Sequence, residues 1–232
     1  MKIPKLQIRG VIIPNNYQEI YDYFGIEATS PKNVSNFLQA LAGESVDVEI
    51  NSPGGDVYSG SEIYTTLKAY QGTINIRIVG MAASAASVIA MAGDTIYISP
   101  TAQIMIHNVS SYAGGDYRDM QHAADVLKGM NMSICNAYLL KTGIEKETLL
   151  DLMNKETYMN AQQAKELGFA DEILFDNENK LVASACPSVL LPPEVINKVR
   201  NLLVGQKNND RMEALAEKER LELLKLRGKI NE

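Results

Sequence analysis

Over residues 8–107 the apolar positions switch repeatedly between a two-residue and a three-to-four-residue period. These are the marks of strands alternating with helices. Ile8-Arg9-Gly10-Val11-Ile12-Ile13 reads as a first strand, ended by Pro14-Asn15-Asn16. Val34, Phe37, Leu38 and Leu41 fall at helical spacing over Val34–Ala42, with Gly43 as a stop. Val46–Ile50 alternates as a strand and runs into Asn51-Ser52-Pro53-Gly54-Gly55-Asp56, a sequence expected to turn. A helix with Val57, Ile63, Tyr64 and Leu67 near one face follows, then a β-branched strand over Thr73–Val79. Gly80-Met81-Ala82-Ala83 predicts a sharp turn, Ser84–Ala92 a small-residue helix, and Thr95–Ser99 and Gln103–His107 two short strands.

Tyr117, Met120, Ala124, Leu127, Met130, Ile134 and Tyr138 repeat at three and four, so Asp116–Thr142 is predicted as one long helix. It packs either in the core or, projecting, on a partner subunit. Glu147–Met153 predicts a helix, Glu156–Asn160 an extended piece, Ala161–Leu167 a helix and Asp171–Phe175 a last strand. Beyond Asp176, Pro187, Pro192 and Pro193 mark a loop, and Glu194–Val204 and Arg211–Gly228 read as helices joined by the polar Gln206–Asp210. The chain therefore divides into a domain over residues 1–176 and a C-terminal extension over residues 177–232, either a docking appendage or a solvated helical tail. Strand–turn–helix alternation predicts an α/β layered sheet with mostly parallel pairing. Ligands bind such sheets at the carboxyl ends of the strands. The segments Ser52–Asp56 and Gly80–Ser84 both lie at such ends.

Composition narrows the function classes. The net charge is −6, without a basic cluster to neutralise phosphates, which weighs against nucleic-acid or anionic-membrane partners. The two cysteines, Cys135 and Cys186, have no CxxC spacing and no His pair, so metal and redox motifs are absent and a reducing, cytoplasmic setting is expected. The N-terminus lacks a signal-peptide core, and the apolar stretch Gly80–Gly93 is broken by Ser84 and Ser87 and too short to span a bilayer.

Ser84 opens a helix after a strand. The ordinary role there is an N-cap. The alternative is a nucleophile raised on a strand-to-helix corner, with the Ala85 amide beside it as an oxyanion donor and alanines leaving room for a substrate carbonyl. A serine nucleophile needs a base, and the chain has only two histidines. His107 ends a strand in a polar turn, while His122 lies inside the long helix and reads as a surface or interface residue. Asp151 and Glu156 are both candidates for the carboxylate that orients the imidazole. Ser52-Pro53-Gly54-Gly55 reads as a tight turn or as a second oxyanion donor. It lacks the phosphate-loop pattern. Lys68 and Lys128 would be the bases of a Ser–Lys peptidase, but neither lies in a turn at a strand end.

Taken together, Ile50-Asn51-Ser52-Pro53-Gly54-Gly55, Gly80-Met81-Ala82-Ala83-Ser84, Met105-Ile106-His107, Tyr158-Met159-Asn160-Ala161, Glu166-Leu167-Gly168 and Ala170-Asp171 resemble the proteolytic subunit of the Clp protease (ClpP). The resemblance covers roughly Ile8 to Phe175. It implies a crotonase-like α/β subunit with a long handle helix, and a serine endopeptidase with Ser84 as nucleophile and His107 as base. It puts Glu156 where the family carries Asp, and it assigns the oxyanion hole to the amides of Gly55 and Ala85. Substrate would bind at Gly54, Gly55, Asp56 and Val57 as an added strand, with no cofactor and no metal. Expected partners are protein or peptide substrates and further copies in heptameric rings. The trimmed start weighs against a Clp-type unfolding ATPase, and with the helical tail it resembles the phage and prophage head-maturation proteases of this family, which cut scaffold and capsid proteins. Two other functions remain open from sequence: a non-catalytic ring-forming assembly protein, and a crotonase-type acyl-CoA enzyme.

Overall fold

A computed structural model of the chain describes residues 3–175. The expectations for the extension over residues 177–232 and for Cys186 lie outside them.

The strands are β1 (Lys5–Ile12), β2 (Ala28–Thr29), β3 (Val46–Gly55), β4 (Ile74–Ala83), β5 (Thr95–Ile98), β6 (Gln103–Ile106), β7 (Thr157–Asn160) and β8 (Glu172–Ile173). The helices are α1 (Gln18–Phe24), α2 (Pro31–Ala40), α3 (Val57–Lys68), α4 (Ala85–Ala90), α5 (Tyr117–Thr142), α6 (Lys146–Asn154) and α7 (Ala161–Glu166). The main sheet runs β2-β1-β3-β4-β5-β8, all parallel, and β6 joins it through β4. Among the described residues only the β6–β7 pair is antiparallel. This is the mixed, mostly parallel α/β architecture expected of the crotonase-like ClpP fold.

Alternation explains the layers. Val46, Val48, Ile50, Ile74, Ile76, Ile78, Ile96 and Ile98 point to one side and are almost fully buried. Ile63 and Leu67 of α3 and Val34 and Leu38 of α2 belong to the same core. On the other face Asp47 accepts from Asn75 Nδ2 at 3.1 Å and Arg77 Nε at 3.0 Å, and the Arg77 guanidinium lies 5.2 Å from the Tyr97 ring centre.

Three sequence expectations are corrected. Asn51–Gly55 and Gly80–Ala83 are strand rather than turn. Gly54 and Gly55 pair with Val11 and Ile12 of β1, while Met81–Ala83 leave β5 and pair with β6. Sheet partners override turn-forming composition here. Ser84 stands before α4 rather than within it. Gln18–Phe24 and Ala28–Thr29, without an assignment from sequence, form α1 and β2.

The long helix matches its expected bounds because its ends are encoded locally. The Asp116 side chain accepts from the Arg118 and Asp119 backbone N–H groups, and the Asp119 side chain accepts in return from Asp116 N–H. Gly143, at φ 71°, closes the other end.

Candidate active site

The fork in β4 builds the site. Its upper end pairs in parallel with β6, with Ala83 opposite Met105, and the Ser84 N–H donates to the Met105 carbonyl at 2.9 Å. Parallel strands finish at the same edge. Ser84, one residue past β4, and His107, one residue past β6, therefore emerge together. His107 Nε2 lies 2.7 Å from Ser84 Oγ.

Ser84 has φ 55° and ψ −124°, and its side chain makes no capping bond to α4. The ordinary N-cap role is thus not the one it fills. A non-glycine residue at such angles costs on the order of 1–3 kcal/mol and persists only where its surroundings hold it. Three donors hold its carbonyl: Ser87 N–H at 2.9 Å, Val88 N–H at 3.3 Å and Ser87 Oγ at 2.6 Å. Gly54 packs beneath the corner. A Cβ built there would stand 2.7 Å from Ser84 Cβ and 2.9 Å from Ala85 N. Ser52, 1% exposed, supports Gly54, its Oγ donating to the Gly10 carbonyl and accepting from Gly54 N–H at 3.1 Å.

Ala85 N–H is the first amide of α4, where no intrahelical acceptor exists. Among the described residues it makes no backbone or side-chain hydrogen bond. Gly55 lies across the cleft with φ 152°, where a side chain would run into the Ile12 carbonyl. Gly54 N–H is already taken by Ser52, so Gly55 is the glycine of this pair that lines the cavity.

That cavity, of about 490 Å³, opens beside Ser84 and His107 and is bounded by Gly55, Asp56 and Val57 on one side. Val88, Leu127, Met130 and Ile134 make its walls largely apolar. Part of the α5 stripe thus faces the cleft instead of the core. Asn131 of α5 also pins the loop after His107, accepting from Val109 N–H at 2.7 Å. The Asp56 carboxylate caps α3, accepting from Ser59 N–H at 2.8 Å and Ser59 Oγ at 2.6 Å.

The third candidate is not in contact with the imidazole. No Asp or Glu oxygen among the described residues comes within 4.0 Å of a His107 ring nitrogen. Glu156 Oε1 instead accepts from the Tyr158 hydroxyl at 3.2 Å, which raises the Tyr158 phenol pKa. Yet the β6–β7 register, with Ile106 opposite Thr157, sets the backbone of Glu156 across from His107. Glu156 stands there at φ 51°. Asp151 lies on α6 and forms no bond to the site. His122, Lys68 and Lys128 are all exposed, and none has a bond to Ser84.

The matching family model is that of the Clp protease, over residues 20–177. The chain belongs to this family. Among solved structures it is similar to a point mutant of ClpP1 from Listeria monocytogenes, with a TM-score of 0.61 and 22% identity over 73% of this chain and 90% of that one. Membership makes a peptidase the expected activity. Among the described residues no helix is long and apolar enough to cross a membrane, and no cluster of His, Cys, Asp and Glu suits a metal ion.

Sequence reasoning missed two side chains, Ser87 and Tyr138. Tyr138 Oη lies 2.8 Å from Ser87 Oγ behind the corner. A hydroxyl three residues after Ser84 inside an otherwise apolar helix was the available signal.

Proposed function

We propose that the chain is a serine endopeptidase acting through an acyl-enzyme. The 2.7 Å approach of Ser84 Oγ to His107 Nε2 on the strained corner carries this reading. For Nε2 to accept the serine proton, the ring must carry its own proton on Nδ1. Ser84 Oγ attacks the peptide carbonyl, and His107 takes the hydroxyl proton and then delivers it to the leaving amine. Water repeats the cycle to release the acyl group. Negative charge on the carbonyl oxygen is met by Ala85 N–H, with Gly55 N–H as the second donor.

The substrate chain lies along Gly54, Gly55, Asp56 and Val57 as an added strand, and the cavity beyond Ser84 takes an apolar side chain. Glu156 is the orienting carboxylate in the reacting complex, reached by turning from Tyr158 to His107 Nδ1. Copies assemble through α5, whose exposed Tyr117 and Leu140, 81% and 77% accessible, are apolar surface that a partner copy would cover. Unfolded or scaffold and capsid proteins are the substrate class.

A fluorophosphonate probe tests the reading. Wild-type chain should be labelled on Ser84, and Ser84→Ala should lose labelling and peptide hydrolysis while keeping its oligomeric mass. Equal labelling of the variant would remove Ser84 from the mechanism. One observation favours a second reading, a ring-forming assembly protein without turnover: Glu156 is bonded to Tyr158 rather than to His107. A well-formed ring that neither takes the probe nor cleaves unstructured casein would support it.

A further inference from the structure

Tyr138, on the last turns of α5, is 1% exposed, and Ser87, in α4, is 0% exposed. Their hydroxyl oxygens are 2.8 Å apart, and Ser87 Oγ is 2.6 Å from the Ser84 carbonyl oxygen. A carbonyl only accepts, so the Ser87 hydroxyl donates to it. That uses its one hydrogen, and Tyr138 must therefore donate to Ser87. Burial pushes the Tyr138 phenol up, so it keeps its hydrogen.

The Ser84 carbonyl and the Ala85 N–H belong to one planar trans peptide and point in opposite directions. Whatever grips the carbonyl from behind aims the N–H in front. Each donor on the carbonyl also polarises the amide and makes its N–H a stronger donor. Such a grip matters at Ser84, because its backbone angles are disfavoured and would otherwise relax.

We propose that Ser87 and Tyr138 are positioning residues: the relay from Tyr138 Oη through Ser87 Oγ to the Ser84 carbonyl aims the Ala85 N–H at the oxyanion of the tetrahedral intermediate. This rests on the peptidase reading above. The relay runs from the base of α5, the helix that also walls the cavity and holds Val109 through Asn131. A hydroxyl pair that merely satisfied itself in the core would affect stability alone.

The test compares full-length wild type with Ser87→Ala, Tyr138→Phe and the double variant. It uses an ester substrate with an apolar acyl group and a matched peptide aldehyde, which forms a tetrahedral adduct. Ser87→Ala should lower kcat about tenfold, less than the roughly 100-fold or greater loss when an oxyanion donor is removed outright. KM should stay unchanged, and aldehyde inhibition should weaken by a similar factor. Tyr138→Phe should act in the same direction and less strongly. The double variant should match Ser87→Ala, because Tyr138 acts through Ser87. The pH profile of kcat should not move, since His107 is untouched. If ester turnover is too slow to follow, the rate of fluorophosphonate labelling replaces kcat.

Variants with lowered melting temperature but wild-type kcat and aldehyde inhibition overturn the proposal, as does an effect confined to KM. Should Ser87→Ala fail to fold, Tyr138→Phe, which keeps the ring, decides it. Ser84→Ala is run in parallel. Hydrolysis surviving that change, or a wild type that takes no probe, sinks the peptidase reading and this inference together. Loss in Ser84→Ala with full activity in the other variants sinks this inference alone.

Discussion

Gly54→Ala separates the corner's geometry from ordinary stability. Gly54 has φ 92°, and a methyl there would meet the Ala83 carbonyl oxygen at 2.6 Å, Ser84 Cβ at 2.7 Å and Ala85 N at 2.9 Å. Alanine at positive φ costs roughly 1–2 kcal/mol. Overpacking against neighbours that are largely backbone adds roughly 1–3 kcal/mol. The sum is about 2–5 kcal/mol if the contact is absorbed as strain. Gly25 is the control: it has φ 63° with nothing within 4 Å of an added Cβ, so Gly25→Ala carries the first cost alone. Urea unfolding followed by circular dichroism should place Gly54→Ala below Gly25→Ala. If the strain is relieved by movement, what moves is Ser84 and the Ala85 amide. Displacement of reacting groups by about 1 Å costs on the order of 100-fold in rate. Turnover of an activated ester should therefore fall by that order in Gly54→Ala and stay near wild type in Gly25→Ala. Equal unfolding midpoints together with a wild-type rate in Gly54→Ala would refute the packing argument.

Two other outcomes follow from single contacts. Glu156→Gln should lower kcat/KM at least tenfold while Asp151→Asn leaves it unchanged, since only Glu156 stands opposite His107 in the β6–β7 register; an unaffected Glu156→Gln would exclude its orienting role. The Asp116 carboxyl titrates below its ordinary value of 3.8, first because the Arg118 side chain donates to it and then because the Arg118 and Asp119 backbone amides do. Its contribution to α5 is therefore complete above that value and lost as pH falls through the lower folded pKa. Amide protection in the first turn of α5, taken relative to the intrinsic exchange rate at each pH, should fall only in that acid window. Asp116→Asn, which keeps a capping oxygen, should flatten the dependence, and fraying that begins above the ordinary carboxyl range would contradict this account.

The elements written locally in the chain were legible from sequence. Asp116 and Gly143 mark the ends of α5, and alternation in Val46–Ile50 and Thr73–Val79 identifies two central strands. The candidate pair was legible because only two histidines exist and only His107 ends a strand. What tertiary structure decided depends on partners distant in sequence. Pro53-Gly54-Gly55 and Gly80-Met81 carry turn composition, yet β1 and β6 supply the ladders that make them strand. Part of the α5 stripe turned out to wall a cavity, because periodicity identifies a face without naming what it faces. Glu156 was a candidate by its place in the chain, but its contact with Tyr158 is a choice of side-chain direction that no sequence spacing encodes. Local signals fix where the backbone turns and caps. The aim of a carboxylate or an amide depends on packing between segments far apart in the chain.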